Sequence, residues 1–235
     1  MKTHMTPDAI PLAAMKPIET DSVNTKPAAN TKPAAEILES STVGWVAQCR
    51  ELHCAPPFGS FVRAPEDDRR IVIYGVVSHI ETQPFDAARR PLALWTREEE
   101  MDARHPQIGK LLRTIFHARC IGWSQSASAG DIVQALPPQP PRLHSFTLPC
   151  STQDVRRFTH DTNFVRLLFD SGTGTDASTD ELLVSVCREA ISAHGGDAEY
   201  AVRLGQALAV PLRADYHRLR ALLARLKTGG NHGRH

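Results

Sequence analysis

The sequence lacks the glycine-rich motifs that bind nucleotide phosphates. The P-loop pattern GxxxxGK[ST] is absent, and so is GxGxxG. The glycine-rich stretch "SGTGTDAS" at 171–178 contains no lysine, which is typical of a surface loop. We therefore predict no nucleotide site of a standard kind, and no cofactor.

Long apolar runs and a charge excess are also missing. No apolar run approaches the roughly 20 residues that cross a bilayer, and residues 1–20 lack the continuous apolar core of a signal peptide. The formal net charge is only +1, which gives no overall argument for nucleic acid or an anionic membrane. The five cysteines are odd in number and scattered, which favours a reducing compartment. We expect a cytoplasmic protein without membrane contact.

What the sequence does contain fits a globular chain of one or two domains, since 41% of the residues are apolar and 23% are charged. Residues 1–40 are the exception, because they include the repeat "NTKPAANTKPAA" and few large apolar side chains. Such a segment does not bury enough apolar surface to offset its ordering entropy. We predict a disordered tail, either a tether or a dispensable extension.

Residues 41–148 carry the pattern of a small β-barrel. "VGWVAQCRELHC" is a strand candidate with Trp45 on one face, "PPFG" is a turn, and "SFVRA" is a short strand. The β-branched stretch "IVIYGVVSHIE" at 71–81 predicts a strand with both faces covered around 71–77. Gly75 in its middle indicates a bulge or sharp bend.

A helical insert is predicted within this barrel, at 96–115. Thr96 with Glu99 fits a capping box, and Pro106 suits the first turn of a second helix. The apolar residues expected to share one face of that second helix are Ile108, Leu111, Leu112 and Ile115. Strands are expected again at "FHARCIGWSQ" and "DIVQALP".

An α-helical domain is predicted at 149–228, after the proline-rich segment 137–150, which we interpret as a stiff inter-domain connector. Ser151 with Asp154 and Ser178 with Glu181 are expected to cap helices. Gly195 and Gly196 end the second of these, and Pro211 begins the last helix. The predicted apolar stripe of that last helix is Leu212, Tyr216, Leu219, Leu223 and Leu226. Residues 229–235 are expected to be frayed.

The spacing of the candidate catalytic and metal-binding residues gives little support for a site. Cys49 and His53 of "CRELHC" lie roughly 13 Å apart if the segment is a strand, at about 3.3 Å per residue, which is too far for a shared zinc ion. Cys187 and His194 are separated by about 10.5 Å of helix rise, too far for a base to reach a nucleophile. We predict no metal site and no catalytic residues, and leave open Cys120 or Cys150 paired with a distant histidine.

The C-terminal segment is locally basic. Between residues 201 and 235 Asp215 is the sole acidic residue. The cations assigned as a candidate surface for a protein partner or for phosphates are Arg213, Arg218, Arg220, Arg225 and Lys227. The alternative is a solvated helix face whose charges favour the helix C-terminus.

The segments "GWVAQCRELHCAPPFGSFVRA" and "IVIYGVVSHIETQP" resemble a HAS-barrel, the small β-barrel shared by HerA-type ATPases and rotary ATP synthase subunits. The matching motifs are Gly59–Val62 and Tyr74–Val77. Together with "PQIGKLLRTIFHARCIGW" and the helical tail, residues 43–226 resemble a cyanobacterial-type family of HAS-barrel-domain proteins. The resemblance implies an α+β fold, a place in ring-shaped ATPase assemblies and no catalytic residue.

These observations lead to three functional hypotheses. The first is a non-enzymatic adaptor that supplies its barrel to a HerA/FtsK-like hexameric ATPase, in DNA processing. The second is direct nucleic-acid binding through the barrel or the last helix. The third is a hydrolase with a cysteine or carboxylate site that no motif marks.

Overall fold

A computed structural model describes residues 34–66, 70–86, 108–125, 132–169 and 176–228, all within one compact unit, Thr31–His235. The strands are Ala35–Ser40 (β1), Gly44–Cys49 (β2), Phe61–Glu66 (β3), Ile71–Pro84 (β4), Leu112–Gln125 (β5), Ile132–Val133 (β6) and Phe146–Pro149 (β7). The helices are Ile108–Leu111 (α1), Thr152–Phe158 (α2), Phe164–Phe169 (α3), Asp176–Ala193 (α4), Ala198–Ala209 (α5) and Tyr216–Thr228 (α6).

Six of the described strands close into an antiparallel barrel. Their order is β2-β1-β7-β3-β4-β5, and β2 pairs with β5 to complete the ring. The short strand β6 adds to β5 outside the ring. Closure satisfies the backbone groups that an open sheet would leave at its edges. The prediction of a β-barrel in a mixed α+β protein is confirmed.

The barrel wall is apolar on both sides where the helices cover it. Along β4 every residue from Val72 to Val77 is buried, which confirms the prediction for this strand. Alternate residues face opposite sides of a strand, so Ile73 and Val77 belong to the interior cluster while Tyr74 belongs to the cluster shared with the helices. The interior cluster comprises Ala35, Ile37, Trp45, Ala47, Cys49, Val62, Ala64, Ile73, Val77, Phe116, Ala118 and Cys120.

Aromatic rings join the outer wall to the helices. Phe158 of α2 lies 4.9 Å from Tyr74 and 6.2 Å from Phe61 between ring centroids. Phe164 of α3 lies 6.0 Å from Phe158 and packs edge-on against Phe61 at 6.1 Å. Aromatic pairs at these separations stabilise a contact beyond the area that they bury.

The boundary predicted between residues 148 and 149 falls inside β7, next to this cluster.

Gly75 provides the space for the largest interior side chain. A Cβ atom at this position would lie 2.5 Å from Cη2 of Trp45 and 2.9 Å from the carbonyl oxygen of Arg119. The Trp45 Nε1–H donates a buried hydrogen bond to Oγ1 of Thr147 at 3.0 Å. The pairing of β4 with β5 shifts register between Tyr74 and Gly75, so an irregularity is present where it was predicted, but the extra residue is Ile121 of β5.

Two strands lie where the sequence predicted none. The tail prediction is wrong for Ala35–Ser40, which forms β1, and residues 1–33 lie outside the described residues. The connector prediction is wrong for Phe146–Pro149, which forms β7 between β1 and β3. Both are short strands beside proline-rich sequence, and pairing with neighbours in the ring outweighs that local composition.

The helical-insert prediction is wrong for Leu112 and Ile115. These residues belong to β5, where Leu112 pairs with Pro84 and Ile115 with Glu81. The two 14-residue strands β4 and β5 form a long antiparallel pair, and its ladder overrides the helix-compatible spacing of the apolar residues. The predicted caps Thr96 and Glu99, and Pro106, lie outside the described residues.

Helix ends follow the predicted capping chemistry at two places. Ser151 and Asp154 form a reciprocal capping box at the start of α2. Gly195 and Gly196 adopt φ of +73° and +74° after α4, the left-handed conformation in which glycine ends helices. The predicted Ser178–Glu181 cap is wrong, because α4 already includes Asp176 and Ser178 lies within the helix.

The last helix begins later than predicted. It starts at Tyr216 rather than near Pro211, because the Asp215 carboxylate accepts a hydrogen bond from the Arg218 N–H at 3.0 Å and caps it. Tyr216 is 69% exposed, so its assignment to the core was wrong. Leu222 is buried, and Leu219, Leu223 and Leu226 of the predicted stripe pack against the same core. None of the described helices combines the length and the hydropathy of a membrane span.

We predict that Gly75→Ala destabilises the protein by about 2 kcal/mol, because the added methyl group overpacks the barrel interior. Urea denaturation measures the change. In a Trp45→Phe background the same substitution should cost less, since the clashing edge of the indole is gone while the Arg119 carbonyl remains. An equal cost in both backgrounds would contradict the Trp45–Gly75 constraint.

Candidate binding surfaces

Two of the five predicted cations hold α6 against α4. The Arg218 Nη2 lies 2.8 Å from Oδ1 of Asp180, and its Nε donates to the same oxygen at 2.8 Å. The Arg225 Nη2 lies 2.5 Å from Oε2 of Glu181, and this hydrogen bond lowers the pKa of that carboxyl. These arginines therefore have an internal structural role, which reduces the charge that α6 presents to a ligand.

The other three predicted cations are exposed. Arg213 lies in the turn before α6, while Arg220 and Lys227 are seven residues apart on that helix. Side chains seven apart share a helix face. None of the three forms an ion pair with another described residue. This smaller set remains available to an acidic or phosphorylated partner.

A cleft lies on the outer surface of the barrel, beside the β2–β5 pairing. Its volume is about 500 Å³. Two apolar side chains in its lining are well exposed, Val43 at 58% and Leu136 at 45%. The lining comprises Glu39, Ser40, Ser41, Val43, Gly44, Trp45, Val46, Ser78, His117, Ala118, Arg119, Cys120, Leu136 and Leu167.

The floor of this cleft is fixed by close backbone packing. A Cβ atom at Gly44 would lie 2.5 Å from the carbonyl oxygen of Ala118 on β5. The Arg119 Nη1 donates to the backbone oxygen of Leu168 in α3 at 2.9 Å, so the arginine ties α3 to the barrel. Burial lowers the pKa of Arg119. The cleft is thus a preformed surface with an apolar rim.

A second recess lies among the helices and was missed by the sequence analysis. Its volume is about 910 Å³. Its basic side chains come from α2, from α5 and from the turns that follow α2 and α4. The segment "VRRFTH" at 155–160 was the available signal, but Arg203 is distant from it in sequence. The lining comprises Ile132, Gln134, Gln153, Arg156, Arg157, Phe158, His160, Asp161, His194, Asp197 and Arg203.

Four of the five thiols, including those considered for catalysis, have raised pKa values and are protonated at neutral pH. Burial raises the pKa of Cys120 and of Cys187 to about 12, and that of Cys49 to about 11. Burial raises the pKa of Cys150 as well. A thiol rather than a thiolate is a poor nucleophile. His194 is hydrogen-bonded to Oγ1 of Thr159 at 3.0 Å instead of activating Cys187.

The "CRELHC" residues are not brought together. Cys49 is buried in the barrel interior, whereas His53 and Cys54 are exposed in the turn after β2. The strand predicted over this segment ends at Cys49, and His53 adopts a positive φ of 63°. Among the residues for which the structure gives a placement, no three His, Cys, Asp or Glu side chains are arranged to hold a metal ion.

No protein-family model matches the chain, and no curated protein matches it.

We predict that iodoacetamide at pH 8 alkylates the exposed Cys54 in the folded protein, while Cys120 and Cys187 react only after unfolding. Mass spectrometry of peptides from folded and urea-treated protein identifies the modified residues. Rapid labelling of Cys120 or Cys187 in the folded protein at pH 6 would instead indicate an activated nucleophile.

We also predict that Arg218→Ala lowers the free energy of unfolding by about 1 kcal/mol, because it removes the pair with Asp180. Arg220→Ala is the matched control on the same helix and should change stability by less than about 0.5 kcal/mol. Chemical denaturation of both variants tests this. If both variants lose the same free energy of unfolding, the ion pair between α4 and α6 does not contribute to stability.

Proposed function

We propose that the chain is a non-enzymatic adaptor whose barrel docks on a protein partner. The observation that carries the proposal is the cleft beside β2 and β5. Val43, between β1 and β2, and Leu136, after β6, leave apolar surface exposed at its edge. Apolar surface with a polar surround is typical of protein interaction sites. Glu39, His117 and Arg119 supply polar groups within the same cleft.

The filled barrel supports a binding function over catalysis. Its interior is occupied by large side chains, including Ile37, Trp45 and Phe116, all at most 2% exposed. An interior packed in this way has no room for a substrate. The buried thiols have raised pKa values, which gives the hydrolase hypothesis no nucleophile among Cys49, Cys120 and Cys187.

A HerA/FtsK-like hexameric ATPase is the proposed partner class, and the support for it is the resemblance to HAS-barrels. The two motifs that carry the resemblance belong to the barrel: Gly59–Val62 leads into β3, and Tyr74–Val77 lies in β4. Because these 235 residues contain no P-loop, the proposal places ATP hydrolysis on the partner. A role in DNA processing follows from the same resemblance.

Direct nucleic-acid binding is the second candidate. It is favoured by the exposed cations Arg213, Arg220 and Lys227, which have no carboxylate partner among the described residues. Cations that contact phosphates make binding fall steeply with salt. Replacing all three by glutamate should then abolish binding to a DNA oligonucleotide at low salt, and an unchanged affinity would exclude this surface.

We predict that the tagged protein recovers a hexameric P-loop ATPase from its native cells at moderate salt. Val43→Asp with Leu136→Asp should remove that ATPase, because each charge would be placed in the apolar rim of the cleft. Leu143→Asp is the matched control, since Leu143 is 54% exposed and lies outside the cleft. Mass spectrometry quantifies recovery of the ATPase.

Retention of the ATPase by the double variant would overturn the cleft as the docking surface. Elution of the wild-type protein alone would overturn the adaptor proposal itself. Urea denaturation of the double variant and the control excludes unfolding as the cause of a loss.

A further inference from the structure

The recess among the helices concentrates positive charge. Arg156 comes from α2 and Arg203 from α5, and both line it together with Arg157, His160 and His194. Neither Arg156 nor Arg203 forms an ion pair within the described ranges of the chain. Arg203 instead lies over the ring of Tyr200, 5.5 Å from the centroid. These two guanidinium groups are therefore available to an anion.

The two carboxylates in the recess are already engaged. Asp197 caps α5 by accepting a hydrogen bond from the Glu199 N–H at 3.0 Å. Asp161 lies 3.8 Å from Nδ1 of His160, measured to its Oδ1. The three arginines in the lining exceed the two aspartates, so the recess keeps a positive balance before its histidines are counted.

The floor of the recess is held in place by Gln134. Its Nε2 donates to the backbone oxygens of Phe158 at 2.7 Å and Asp161 at 2.9 Å. Its Oε1 accepts from the Phe164 N–H at 2.7 Å. These three bonds fix the turn between α2 and α3, which carries His160. The arrangement is preorganised, which lowers the entropic cost of binding.

His194 has a defined tautomer in this recess. The Thr159 hydroxyl has one proton, and it donates that proton to the Val155 carbonyl at 2.7 Å. The 3.0 Å contact between Thr159 Oγ1 and His194 Nε2 therefore requires the histidine to donate from Nε2. In the neutral ring Nδ1 then carries the lone pair. The ring is stacked on Tyr200 at 3.8 Å, which holds its plane.

We propose that this recess binds a small phosphorylated molecule through Arg156 and Arg203, and that His194 takes up a proton when the recess is filled. Arginine is the side chain best suited to phosphate, because its planar donors match the phosphate oxygens. Ile132 and Phe158 add apolar surface to the lining, which suits an organic group attached to the phosphate. The inference does not depend on the adaptor proposal.

Proton uptake follows from the groups that surround His194. Burial lowers its pKa, and the positive charges of Arg156, Arg203 and His160 lower it further, while Asp197 acts in the opposite direction. The empty site therefore holds a neutral histidine at pH 7. A bound phosphate offsets the neighbouring positive charges and raises the pKa, so a proton from solvent adds to Nδ1.

Isothermal titration calorimetry of the full chain with inorganic pyrophosphate tests the proposal. Titrations at pH 7 in two buffers of different ionisation enthalpy measure the protons taken up. We expect Arg156→Ala and Arg203→Ala each to weaken binding by about tenfold, the loss typical of one charge-assisted contact. Arg213→Ala, an exposed arginine outside the recess, is the matched control and should leave the affinity unchanged.

His194→Gln separates binding from protonation. Its amide nitrogen can take the place of the Nε2 donor to Thr159 but does not titrate, so pyrophosphate should still bind while proton uptake disappears. Absence of pyrophosphate binding to the wild type, or equal weakening by Arg213→Ala, would overturn the site. A further contrary result is displacement of pyrophosphate by a single-stranded oligonucleotide in a way that requires Arg213 and Arg220. That result would assign pyrophosphate binding to a nucleic-acid surface and would overturn the proposed recess site.

Discussion

The packing of Trp45 against Gly75 inside the barrel is the constraint on which the rest of the structure depends. The indole fills the interior between β2 and β4, and its N–H reaches Thr147 on β7. One side chain thus contacts three strands of the ring, and the hydrogen bond satisfies a polar group that burial would otherwise penalise. Strand pairing closes the barrel, and the packing of Trp45 fills its interior.

Because side chains fill the barrel interior, we expect binding sites on its outer surface. The outer wall of β3 and β4 is covered by α2 and α3 through Phe61, Tyr74, Phe158 and Phe164. The wall beside β2 and β5 retains the cleft with its exposed apolar rim. Arg218 and Arg225 of α6 form ion pairs with α4, whereas Arg156 and Arg203 in the helical recess form none with another described residue. We therefore propose separate surfaces for a protein and for an anion.

The sequence predicted the elements whose signals are local. The strand at 71–77, the irregularity at Gly75 and the capping box at Ser151 each depend on a few adjacent residues, and each is present. The strand β7 was missed because it is held by pairing with the distant strands β1 and β3. The strand β1 pairs mainly with the neighbouring β2, and it was missed because it directly follows the proline-containing repeat. The basic side chains of α6 were identified by spacing, but Asp180 and Glu181, which engage two of them, lie on another helix. The recess was missed for the same reason, since tertiary packing alone joins Arg156 to Arg203.

We propose that the barrel presents a docking surface for a hexameric ATPase. Hydrogen-exchange mass spectrometry of the chain, alone and bound to the ATPase that it recovers, tests this claim most directly. We expect slower exchange in the bound state at residues 39–41, 43–46 and 117–120, which line the cleft. Unchanged exchange at those residues, with protection confined to α2 and α5, would contradict it.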